Sequence, residues 1–165
     1  MKLLIAYASK SGSAREMAEM LAGQLPNQDV TLCDLALAQP DPAAFDYVVL
    51  GGSIRMNKAH KALRTYVNTY AEALCAVPHT LFLCCAFAEQ LEHYYAVAFP
   101  RSLRESAERL VYFGGDLSLS RQKGFDKWLT RMLRNSILES EEEDAVLPTL
   151  LPEHVRTLAD ALRKK

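Results

Sequence analysis

The sequence predicts a single α/β domain, residues 1–165, built on a parallel sheet with helices on both faces, and three observations lead there. Five short apolar runs recur along the chain, separated by stretches of helical periodicity. The runs are nearly continuous rather than alternating, as expected of strands covered on both faces. Strand and helix signals also alternate from end to end, the order that winds a doubly wound sheet through right-handed crossovers. With 165 residues and 50% hydrophobic content, the chain is long enough for one well-buried core.

Lys2-Leu3-Leu4-Ile5-Ala6-Tyr7-Ala8 is the first strand. A polar loop, Ser9-Lys10-Ser11-Gly12-Ser13-Ala14, follows it, and the next segment places Met17, Ala18, Leu21 and Leu25 on one helix face. Pro26-Asn27 breaks that helix, and Val30-Thr31-Leu32-Cys33 is a short second strand near the sheet edge. Pro40 and Pro42 bracket a turn. Tyr47-Val48-Val49-Leu50 is the third strand, ending in Gly51-Gly52, and Lys61 to Cys75 is one helix through Leu63, Tyr66, Val67, Tyr70 and Leu74. After Pro78, Thr80 to Ala86 is the fourth strand. Gln90 to Tyr95 and Arg101 to Glu108 are helical, interrupted at Pro100. Leu110-Val111-Tyr112-Phe113 is the fifth strand and is again followed by two glycines. An insertion at about 115–148 separates it from the last helix, Leu150 to Arg163, which Pro152 opens. The acidic tract Glu139 to Asp144 within that insertion is a solvated linker.

Composition excludes several classes of function. The formal net charge is −1, from 19 Lys plus Arg against 20 Asp plus Glu, so nothing global points to nucleic acid. Cys33, Cys75, Cys84 and Cys85 lack zinc spacing and contain no Cys-x-x-Cys; they are expected as reduced, buried thiols, with no metal. No run approaches the ~20 apolar residues that span a bilayer, and no secretory signal pattern opens the chain. The expected location is the cytoplasm.

In open α/β sheets a ligand sits beyond the carboxyl ends of the strands, where the strand order reverses. The loops after the first, third and fourth strands are therefore the candidates. In the first, the N-terminal N–H groups of the helix attract an anion, Ser9, Ser11 and Ser13 add hydroxyls, and Gly12 lets the backbone turn. One serine capping the helix is the plainer alternative. The second loop, Gly51 to His60, offers Gly51, Gly52, Ser53, Ile54, Arg55 and Met56. The two glycines could instead permit close packing, and Arg55 could pair with a carboxylate. The third, Ala86-Phe87-Ala88-Glu89, has Phe87 to cover a flat ring, unless Phe87 faces the core. A phosphate cradle joined to an apolar slot suits a phosphorylated planar heterocycle, and FMN has that shape.

The serine loop resembles the phosphate loop of flavodoxins, with Ser9, Ser11, Gly12 and Ser13 matching in kind and Ala14 standing where that family usually has threonine. Val-Leu-Gly-Gly-Ser-Ile-Arg, followed by His60, is similar to the flavodoxin-like quinone-dependent protoporphyrinogen IX dehydrogenases, as are Gly114-Gly115-Asp116-Leu117 and Phe125-Asp126-Lys127-Trp128. The resemblance implies strand order 2-1-3-4-5 and an FMN site made by Ser9, Lys10, Ser11, Gly12, Ser13, Ala14, Gly51, Gly52, Ser53, Ile54, Arg55, Met56, Ala86, Phe87 and Ala88. Catalytic roles for Arg55 and His60 follow from it, as do a porphyrinogen-like redox substrate and a quinone acceptor. An electron-transfer flavodoxin serving a protein partner, or a flavin-free interaction domain, are the alternatives. With a bound flavin, backbone groups at Gly51 and Gly52 are expected at the reactive ring nitrogen.

Lys123 to Asn135 is amphipathic, with Phe125, Trp128, Leu129, Met132 and Leu133 on one face and Lys123, Lys127, Arg131 and Arg134 around the other. Such a helix can lie peripherally on the inner face of the cell membrane, where a quinone resides, or pack on the domain's own core.

Overall fold

The computed structural model describes residues 1–116, 124–138 and 148–165. Its elements run β1 (Lys2–Ala8), α1 (Ser13–Gly23), β2 (Asp29–Asp34), β3 (Tyr47–Arg55), β4 (Lys58–Ala59), α2 (Lys61–Thr69), α3 (Ala71–Ala76), β5 (His79–Cys84), α4 (Leu91–Ala98), α5 (Arg101–Ser106), β6 (Arg109–Tyr112), α6 (Gly124–Leu138) and α7 (Pro152–Leu162). The main sheet is parallel in the order β2-β1-β3-β5-β6, which is the expected 2-1-3-4-5 arrangement of five strands. β4 is an addition, a short strand antiparallel to the end of β3.

Strand alternation divides the core in two. Leu4, Ala6, Val48, Leu50, Leu81 and Leu83 face Leu63, Tyr66 and Val67 of α2, Leu74 of α3, Tyr94 and Tyr95 of α4 and Leu103 of α5. Leu3, Ile5, Tyr7, Val49 and Phe82 face the opposite way, onto Met17, Ala18 and Leu21 of α1 and Val155, Leu158 and Leu162 of α7. Each fully buried leucine contributes about 1.5–3 kcal/mol, so both helical layers are needed to hold the central strands.

Several boundaries differ from expectation for definable reasons. β3 continues five residues beyond Leu50, because Gly51 and Gly52 pair with Tyr7 and Ala8 on one side and Phe82 and Leu83 on the other. The helix expected over Lys61 to Cys75 is two helices that meet at Tyr70, whose φ of −115° and ψ of 22° leave the helical range. α5 stops at Ser106, and the Glu108 N–H donates to the His79 carbonyl at the start of β5. The fifth strand is an edge rather than a buried strand, and Leu110 is 49% exposed. The acidic tract Glu139 to Asp144 and Leu117 lie outside the described residues. The four cysteines are free thiols.

A polar junction ties the C-terminal end of the chain to the sheet. The buried Tyr47 hydroxyl lies 2.8 Å from Thr80 Oγ1 and donates to Glu108 Oε2 at 3.0 Å, while Lys165 Nζ approaches the same carboxylate at 2.7 Å. Burial pushes Tyr47 up to about 12. The hydrogen bond from Lys165 holds Glu108 below its ordinary value of 4.5, with the Tyr47 hydroxyl adding to the effect. A carboxylate with a depressed pKa stabilises the fold above its unfolded value, and the contribution fades as pH falls through the folded one. Lys165→Ala should therefore lower the melting temperature slightly at neutral pH and have no effect well below pH 4.5, measured by thermal denaturation across pH.

Candidate functional site

A cleft of about 400 Å³ opens over the carboxyl ends of β1, β3 and β5. Its walls come from Lys10, Ser11 and Ser13 after β1, Ser53 to Asn57 at the end of β3 and the turn beyond it, and Cys84 to Phe87 at the end of β5. Tyr94 of α4, Gly115, Asp116, and Thr130 and Leu133 of α6 complete it.

The β1 end is shaped by Gly12, whose φ of +93° is left-handed backbone that side-chain-bearing residues avoid. Gly12 occupies the N-cap of α1 with no side-chain cap, and the first helical bond runs from the Glu16 N–H to the Gly12 carbonyl at 2.9 Å. The N–H groups of Ser13, Ala14 and Arg15 thus precede the helical ladder, at the positive end of the helix dipole. Ser11 Oγ and Ser13 Oγ lie 3.5 Å apart beside them. Ser9 takes the plainer role: its Oγ accepts the Gly12 N–H at 3.0 Å and braces the turn from behind. The Ala14 methyl is fully buried against the α1 side of the core and does not reach the cleft.

At the β3 end, Arg55 pairs with Lys58 and closes a two-residue hairpin whose central residues, Met56 and Asn57, both have positive φ, 48° and 59°. Asn suits that geometry, whereas Met does not and stays 63% exposed at the rim. His93 Nε2 of α4, 2.9 Å from Asn57 Oδ1, steadies the hairpin. Arg55 is half-buried, with its Nε shielded from solvent. Ile54 and Phe87 pack against the core with part of their surface left to the cleft.

Four expected site residues are placed elsewhere. Gly51 and Gly52 lie inside the sheet, paired on both sides, where a Cβ on Gly51 would overlap the Phe82 carbonyl oxygen and ring. Their peptide groups lie within the sheet beneath the cleft, and close packing against Phe82 and Ala8 requires a glycine at each position. His60 accepts the Ala62 N–H at Nδ1 (3.2 Å), capping α2, and lines an adjoining hollow rather than the cleft. Ala88 opens a short 3-10 turn, Ala88–Gln90, beyond the lining, while Ala86 and Phe87 do line the cleft.

Sequence reasoning missed Asn57, Tyr94, Gly115, Asp116 and Thr130 as lining residues and read Cys84 and Cys85 only as buried thiols. The repeat of a glycine pair after the third and fifth strands was the available signal for Gly115. Burial pushes the Cys85 thiol up to about 12 and raises Cys84 as well, which favours the neutral thiol at both positions. The amphipathic segment is helical as α6, but its apolar residues divide: Leu133 turns to the cleft beside the buried Thr130, while Trp128 and Met132 are 56% and 49% exposed. Lys123 and the side chains of Phe125, Lys127 and Leu129 lie outside the described residues. Among the described residues, no helix is long and apolar enough to cross a membrane, and no cluster of His, Cys, Asp and Glu could hold a metal ion.

Comparison with known proteins agrees with this architecture. Over 143 residues the chain is 26% identical to protoporphyrinogen IX dehydrogenase [quinone] of Escherichia coli (strain K12), covering 81% of this chain and 78% of that one. The fold is similar to a Fusobacterium nucleatum flavodoxin bound to flavin mononucleotide (TM-score 0.54, 10% identity, 99% and 98% of the two chains). It is also similar to the flavodoxin of Streptococcus pneumonia TIGR4 (TM-score 0.52, 18% identity, 81% and 98%). The flavodoxin domain profile matches residues 4–144. With that match over most of its length, on a parallel sheet of the expected strand order, the chain belongs to the flavodoxin domain family.

Proposed function

We propose that the cleft binds FMN and that the chain is an FMN-dependent oxidoreductase, taking electrons from a small reduced substrate of the porphyrinogen type and passing them to a quinone. The observation that carries the reading is the junction of two chemistries in one cleft. The uncapped start of α1 with Ser11 and Ser13 suits a phosphate, and the wall of Ile54, Met56 and Phe87 suits a flat ring. FMN, when bound, supplies the electron or hydride transfer. The chain's part is to hold the phosphate at α1, seat the ring between the β3 hairpin and Phe87, and exclude water.

An enzyme is favoured over a small electron carrier because α6 adds Thr130 and Leu133 to the cleft wall, a covering that suits a small-molecule substrate better than a protein partner. The name of the E. coli relative supplies the substrate and acceptor classes. Visible absorption of the protein titrated with FMN is the first test. A bound, shifted flavin spectrum at one-to-one ratio supports the reading, and free-flavin spectra throughout overturn it.

Arg55 is proposed to act on the flavin or the substrate. A charge-assisted hydrogen bond from a guanidinium is worth about 1.5–3 kcal/mol, so Arg55→Ala should slow flavin reduction by the donor roughly ten- to a hundred-fold. The melting temperature should stay within ~2 °C, the range of substitutions outside the core. Unaltered kinetics with a large loss of stability would make Arg55 a structural residue.

A further inference from the structure

Tyr94 of α4 and Thr130 of α6 line the cleft from helices outside the three strand-end loops, and each is only 5% exposed. Neither hydroxyl bonds to another described residue. The other tyrosines, apart from Tyr7 outside the cleft lining, all reach protein acceptors: Tyr47 donates to Glu108, Tyr66 to the Pro40 carbonyl, Tyr70 to that of Gln39, Tyr95 to that of Val111 and Tyr112 to that of Cys85. Buried hydroxyls are nearly always paired, because an unpaired one carries the full cost of leaving water. Neither of these two is fully shut away from open space, so both reach the hollow they line.

Tyr94 is held in place by its neighbours. His93 Nε2 lies 2.9 Å from Asn57 Oδ1 on the β3 hairpin, and the Tyr95 hydroxyl donates to the Val111 carbonyl at 2.6 Å, so α4 is fixed to both β3 and β6. Burial, with Cys85 and Glu89 adding to it, raises Tyr94 above its ordinary value of 10, so the phenol keeps its proton and can donate. A hydroxyl both donates and accepts, and two of them in a wall that also carries Ile54, Phe87 and Leu133 fix the orientation of a flat ring whose edge alternates carbonyl and N–H groups. The flavin ring has such an edge. We infer that Tyr94 and Thr130 hydrogen-bond the polar edge of the flavin ring, which makes α4 and α6 part of the cofactor site as a polar contact separate from the serine loop. The inference deepens the flavin reading and rests on it for the identity of the ring.

The test titrates the full, flavin-free chain with FMN and with lumiflavin, the same ring without the ribityl phosphate, and reads flavin fluorescence. Tyr94→Phe/Thr130→Val should weaken both ligands by the same factor, about tenfold for two neutral hydrogen bonds. Gly12→Val, which acts at the phosphate end, should weaken FMN and leave lumiflavin unchanged. Stability of the apoprotein separates a ligand contact from a structural one. With no internal bond to lose, the double variant should hold or raise the apoprotein melting temperature, whereas Tyr95→Phe, which removes the bonds to Val111 and Leu81, should lower it by roughly 2–4 °C. Lumiflavin affinity unmoved in the double variant overturns the inference, as does an apoprotein destabilised as much as Tyr95→Phe. FMN uptake without measurable lumiflavin binding by the wild-type chain also overturns it, since the ring then has no anchor of its own. If the wild-type chain takes up neither ligand, the flavin reading itself fails and the inference falls with it.

Discussion

Gly12→Val is expected to expel FMN while leaving a folded domain. Gly12 sits at φ +93°, and a Cβ built there meets nothing within 4 Å, so the obstacle to a side chain is backbone conformation rather than space. The left-handed region costs an L-residue about 1–2 kcal/mol, and β-branched valine tolerates it least. The chain relieves that strain by rotating the turn between β1 and α1, which moves the Ser13 N–H and the Ser11 and Ser13 hydroxyls off their common target. A dissociation constant at least ~tenfold weaker corresponds to about 1.4 kcal/mol, within the strain available. The melting temperature of the apoprotein should fall by roughly 2–8 °C, at about 2–4 °C per kcal/mol for a domain of this size. Flavin fluorescence on titration reads the affinity. Gly23→Ala, at a helical glycine with open space and ordinary φ, is the control: it should leave the FMN affinity unchanged and hold or slightly raise the melting temperature. A valine variant that stays yellow with native affinity would move the phosphate site elsewhere.

Gly51→Ala should be the most damaging single substitution in the sheet. The added methyl would overlap the carbonyl oxygen and ring of Phe82, a fully buried residue, and only separation of β3 from β5 could make room. Overpacking costs about 1–3 kcal/mol where side chains can yield, and here the obstacle includes backbone in a central strand. A loss of at least ~3 kcal/mol, or ~6–12 °C, is expected, with insoluble expression as the extreme. Gly52, whose Cβ would stand 2.6 Å from the Ala8 carbonyl oxygen, should behave similarly. Because these glycines pack strands, any loss of flavin in Gly51→Ala should track unfolding, seen as coincident circular-dichroism and flavin transitions. A fully stable Gly51→Ala variant that lacks flavin would return the peptide group to the cofactor site.

The two glycine positions show where sequence reasoning succeeds and where it stops. At Gly12, the residues that demand the conformation are its immediate neighbours: a strand ends, a helix begins, and hydroxyls flank the turn. At Gly51 the demand comes from Phe82, thirty-one positions away across the sheet, and no local pattern carries it. His60 illustrates the same limit, since its motif reads as chemical while its ring accepts the Ala62 N–H as a helix cap. Helix α6 was legible as amphipathic, but which of its apolar residues faced the cleft depended on where β5 and β6 left room for it.

The sequence by itself determined the architecture, since continuous apolar runs, helical periodicity and glycine or proline punctuation are local consequences of backbone geometry. From these followed a parallel sheet with helices on both faces and the serine loop at the start of α1, while the order β2-β1-β3-β5-β6 was implied by the resemblance to flavodoxins. Only the tertiary structure decided which loop residues share a cleft, that Met56 sits strained at its rim, and that Lys10, Arg55, Lys58 and Lys61 gather in one hollow. The physical reason is that register across strands and the direction of a hairpin are set by packing between distant segments, and charge acts through space rather than along the chain.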